Sequence, residues 1–66
     1  MVLIEVKEMD VEKVFEILVT NGRFAQLSPT QFRIDENEKE TLKKIKDMGI
    51  DVTIISSRGW KFNETL

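Results

Sequence analysis

The chain of 66 residues contains no histidine, no cysteine and no tyrosine. Those gaps remove the usual general base, the thiol nucleophile and the soft metal ligands, so an enzyme is not expected and no cofactor is implied. Without cysteine there is no disulfide framework. No apolar run approaches the length a membrane span needs, and no leader-like start precedes the first apolar residues, so the expectation is a soluble cytoplasmic protein with no membrane role. One proline and three glycines leave few places where the chain can be forced to turn, and they mark those places clearly. A chain this short forms a single domain, residues 1–66, and buries only about 60% of its unfolded surface, so each apolar residue matters to a thin core.

The charge is uneven. The net charge is −2, but residues 1–38 hold four basic against eight acidic side chains, and residues 39–66 hold six basic against four acidic ones. Polyanion binding needs clustered lysine and arginine, and here the basic half is the C-terminal one. The acids of the first half, Glu5, Glu8, Asp10, Glu12 and Glu16, offer a surface for a protein partner.

Val2, Ile4 and Val6 alternate with Leu3, Glu5 and Lys7, the period of a half-buried strand. Asp10 then reads as a helix N-cap, with Met9 and Val14 as a hydrophobic staple. Val11, Val14, Phe15 and Leu18 repeat at helical spacing, Ile17 widens the stripe, and Glu12, Lys13 and Glu16 face water. Asn21-Gly22 stops this helix.

Phe24 to Ile34 admits two readings. Ser28-Pro29 can cap a second helix of barely one turn, Pro29 to about Phe32. The alternative is a strand Gln31 to Ile34, which paired with Val2 to Val6 would give a small β/α sandwich. In both, Phe24, Leu27, Phe32 and Ile34 plug the core. Asp35 and Glu38 then form an acidic capping box, and a helix over Glu36 to Met48 buries Leu42, Ile45 and Met48 beneath exposed Lys39, Lys43 and Lys46. Pairs such as Glu36/Lys39 and Glu40/Lys44 fit its spacing. Gly49 ends it, and Ile50, Val52 and Ile54 begin a strand. If Ile54 faces Trp60 and Val52 faces Phe62, the ribbon returns through a type I turn with Gly59 in a left-handed bulge and Arg58 at the tip.

Ile17 to Phe24 at the end of the first helix, Ile45 to Val52 at the junction of helix and ribbon, and Arg58-Gly59-Trp60-Lys61-Phe62 at the return resemble the winged-helix domains of the biotin operon repressor type. The resemblance covers roughly two thirds of the chain. It implies an α+β winged helix of two to three helices and a C-terminal hairpin wing, with an extra N-terminal strand. It also implies a transcriptional regulator that binds double-stranded DNA through Asn37, Lys39, Lys43 and Lys46 on the helix and Ser56, Ser57, Arg58 and Lys61 on the wing. A domain of this size reads few base pairs, so a homodimer is expected, with the Val2 to Lys7 strand as its dimer or wing-packing element. The chain departs from the family where Gly22 to Gly49 is a few residues shorter, and where the third helix begins with Asp35-Glu36-Asn37-Glu38, acids that repel phosphate. The alternatives are a winged-helix protein-interaction module without DNA binding, and a small β/α accessory protein.

Overall fold

The alternation of Val2, Ile4 and Val6 builds strand β1 (Val2–Val6). A single 3-10 turn over Glu8–Asp10 leads into helix α1 (Val11–Asn21), which buries Val14 and Leu18 and keeps Glu12, Lys13 and Glu16 in water. Strands β2 (Phe24–Ser28) and β3 (Gln31–Ile34) follow, then helix α2 (Glu38–Asp47) and strand β4 (Val52–Ser56). The computed structural model describes residues 1–56; the ribbon's expected return through Ser57 to Phe62, with Arg58 and Trp60, lies outside the described residues.

The short helix expected at Pro29 to Phe32 does not form. Phe32 and Ile34 are buried while Gln31 and Arg33 are only partly so, a period of two that suits a strand, and Pro29 sits with Thr30 in the turn that closes a β2–β3 hairpin. What decides between the readings is β1. Its inward residues Val2 and Ile4 are fully buried, which requires strands on both sides, and β3 supplies one through Val2↔Ile34 and Ile4↔Phe32. The other side is taken by β4, through Ile4↔Ile54 and Val6↔Val52.

The result is a four-stranded antiparallel sheet in the order β2-β3-β1-β4. Element order and strand order together are those of the split β-α-β, or ferredoxin-like, arrangement. Both helices lie on one face, where Val14 and Leu18 of α1 and Leu42 and Ile45 of α2 join Val2, Ile4, Val6, Phe32, Ile34 and Ile50 in one core. The N-terminal strand is thus central to the sheet, and the two helices are separated by the β2–β3 hairpin. The broad expectation of a mixed α+β domain holds.

Several local expectations differ. Asp10 makes no side-chain cap bond, because the 3-10 turn continues smoothly into α1, and Met9 is 83% exposed and staples nothing. Asp35 does not start the second helix either. Its N–H donates to the Arg23 carbonyl at 2.9 Å, prolonging the β2–β3 ladder, and its carboxylate accepts from Arg33 Nε at 3.0 Å. The helix therefore begins later than expected, with Asn37 at the N-cap, and ends at Asp47, leaving Met48 exposed. Leu27, expected in the core, is exposed beside the irregularity between Gln26 and Ser28, and Phe24 is half-buried with its ring edge-on to Phe15 at 5.5 Å. At Gly22 the φ of +139° and the approach of Glu36 to 3.3 Å of a would-be Cβ explain why only glycine fits between α1 and β2.

Candidate nucleic-acid interface

Helix α2 carries the sequence candidates, and its two flanks differ. Thr41, Leu42 and Ile45 are buried against the core. On one side, Lys44 reaches across to α1 and donates to Asn21 Oδ1 at 2.5 Å, in place of the pair with Glu40 that helical spacing offers. Asn37 joins the same seam: its Nδ2 donates to the Asn21 carbonyl at 3.0 Å and its own carbonyl accepts the Thr41 N–H at 2.9 Å. Asn37 has φ 54°, a left-handed conformation that asparagine tolerates better than most residues. Its amide, expected to face a base edge, is engaged in holding the two helices together.

On the far flank Lys39, Lys43 and Lys46 follow one another at spacings of four and three, so the three form one exposed stripe turned away from Asn21. Lys43 and Lys46 make no hydrogen bond or ion pair among the described residues. The stripe is what the sequence led one to expect.

The acids at the start of α2, Asp35, Glu36 and Glu38, are each matched with a cation. Arg33 Nε holds Asp35 at 3.0 Å, Arg23 Nε lies 3.9 Å from Glu36, and the Met1 ammonium donates to Glu38 Oε2 at 2.6 Å. The hydrogen bond from that ammonium, with a backbone hydrogen bond at Glu38 itself, holds the Glu38 carboxyl below its ordinary range. The sequence shows three acids within four residues, Asp35, Glu36 and Glu38, without showing which strand brings a counter-charge. Arg23 and Arg33 reach theirs because β2 begins and β3 ends beside the start of α2.

Of the wing candidates, Ser56 is the last residue of β4 and pairs with Leu3, while Ser57, Arg58 and Lys61 lie outside the described residues. Asn21 and Thr41 were not singled out by sequence reasoning. Asn21 looks like a helix stop, and nothing in a helical wheel shows that its carbonyl and side chain will serve a second helix. Among the described residues no three histidine, cysteine, aspartate or glutamate side chains come together as a metal site. No described helix is long and apolar enough to cross a membrane. Comparison of the chain with protein-family models, with curated proteins and with solved structures finds no match.

Proposed function

We propose that this protein is a small non-catalytic binding module that lays the lysine stripe of α2 against the phosphate backbone of double-stranded DNA. One observation carries the reading. Lys43 and Lys46 are exposed on one flank with Lys39 and hold no partner of their own among the described residues, whereas the neighbouring acids Asp35, Glu36 and Glu38 are each matched by a cation. Such a stripe supplies phosphate contacts, which position a duplex without reading its sequence. The winged-helix expectation would add Arg58 and Lys61, which lie outside the described residues, and the regulator role rests on that expectation.

The test is a fluorescence-anisotropy titration of duplex DNA at several salt concentrations. Each phosphate contact contributes about −0.9 to the slope of log affinity against log salt, so Lys43→Ala combined with Lys46→Ala should flatten the slope by about 2. No binding at low salt, or an unchanged slope in the double variant, removes the proposal.

A second reading, a small β/α accessory protein that binds another protein, is favoured by the pairing of β1 with β3 and by an isoelectric point near 5.0. A stoichiometric protein partner that survives nuclease treatment, together with a flat salt response, would select it.

A further inference from the structure

The outer flank of α1 and the edge strand β2 form a second surface, on the opposite side of the molecule's helical layer from the lysine stripe. Strand β2 is terminal in the sheet order, with β3 on one side and no described strand on the other. Which of its backbone groups face outward follows from the ladder. The Asp35 N–H donates to the Arg23 carbonyl, and hydrogen-bonded pairs alternate along an antiparallel ladder, so Ala25 turns its N–H and C=O toward Arg33. Phe24 and Gln26 therefore direct theirs to the open edge. No charged residue lies within Phe24–Ser28.

Beside this edge stands a helix face of mixed character. Glu12, Phe15, Glu16 and Val19 occur at i, i+3, i+4 and i+7, so they share one face of α1. The edge-on contact of Phe15 with Phe24 places that face next to β2. Phe15 is 42% exposed and Val19 56%, although both are apolar and the core is at hand. Glu12 and Glu16 are exposed and their carboxylates pair with no described residue. At the head of the strand Arg23 is exposed too, but Glu36 lies against it at 3.9 Å.

We propose that this surface binds an extended peptide whose helix-facing residues, every second one, are apolar and basic in turn, and which adds to β2 as a fifth strand. Its backbone would meet the outward groups of Phe24 and Gln26, and only every second side chain would turn to the helical face, where the apolar ones would cover Phe15 and Val19 and the lysines or arginines between them would face Glu12 and Glu16. Main-chain pairing supplies affinity in such strand addition, and the flanking side chains supply selectivity. The acidic rim is what favours a basic peptide over a second copy of this chain, because two copies would bring Glu12 and Glu16 toward like charge.

The proposal is independent of DNA binding, since it uses α1 and β2 and not α2. The experiment is an NMR titration of the full chain with a short blocked peptide that carries valine and lysine in turn at every second position with threonine between them, set against its analogue with glutamate for lysine and against the lysine peptide methylated at every backbone nitrogen. The expected result is amide shifts at Phe24, Gln26, Phe15 and Val19, with the lysine peptide bound about tenfold or more tightly than the glutamate one. N-methylation should abolish the shifts, and Glu12→Lys with Glu16→Lys, both at exposed positions, should reverse the charge preference. Absence of shifts, shifts elsewhere, equal binding of the two charge forms or indifference to N-methylation would each overturn it. So would concentration-dependent self-association through Phe24–Ser28, which would make a second copy the occupant. Lys43→Ala with Lys46→Ala should leave the peptide titration unchanged while altering the DNA one.

Discussion

At the scale of single residues, the least comfortable group in the core is the Thr41 hydroxyl. Thr41 is 1% exposed and its Oγ1 has no hydrogen-bond partner among the described residues. A buried hydroxyl without a partner forfeits its hydration and gains nothing in return. Thr41→Val keeps the shape and removes the polar atom, so it should raise the unfolding free energy by about 1 kcal/mol in urea titration, while Thr41→Ser should not. Glu38 makes a separate prediction through pH. Its carboxyl titrates below the ordinary range when folded, so the unfolded chain takes up the proton first as pH falls. The stabilisation is complete above the unfolded carboxylate's pKa and is lost as pH drops through the lowered folded value. Melting temperatures followed across the acid range should show that loss, and Glu38→Gln should remove its share of the slope. Asn37 shows why the residue scale is hard to read in advance. Its polar amide suggested a contact with DNA, but the left-handed backbone at this position and the nearness of the Asn21 carbonyl turn it toward α1.

At the scale of elements, the span and buried face of α1 were legible because its apolar residues recur at the helical period and Gly22 ends it, whereas the 3-10 turn that replaces the expected Asp10 cap and Met9 staple was not. The start of α2 was not. Asp35 and Glu38 satisfy a capping pattern, but Arg23 and Arg33 compete for the strand extension and the acids, and those arginines come from the β2–β3 hairpin. The hairpin itself was one of two readings, because a Ser-Pro step serves a helix start and a turn equally well. Within β2, hydrogen exchange should separate neighbouring amides. The Ala25 amide, turned to Arg33, should be protected, and those of Phe24 and Gln26, turned to the edge, should exchange faster. Comparable protection of all three would contradict the outward assignment on which the proposed strand addition depends. The lysine stripe of α2, by contrast, was legible from spacing alone, since Leu42 and Ile45 fix which way the helix faces.

At the scale of the whole molecule, β1 is the strand on which the others depend: it pairs with β3 on one side and β4 on the other, and its inner residues face both helices. Ile4 is fully exposed to none of the solvent, at 0%, and touches that junction. Ile4→Ala should cost about 2–5 kcal/mol, a large fraction of the stability of a domain this small. A fall in the melting temperature of more than about 10 °C by calorimetry is the expected outcome, whereas truncation of exposed Met9 should leave it nearly unchanged. From sequence alone came the α+β composition, the first strand and both main helices, and the face each helix shows to water, because those follow from local periodicity and from where glycine stands. Which strand lies beside which, how each acid of the α2 start is matched, and the use of Asn21 and Asn37 as a seam came only with tertiary structure. These depend on residues ten or more apart meeting across a sheet, and a half-buried strand has the same alternating pattern whichever neighbour it pairs with.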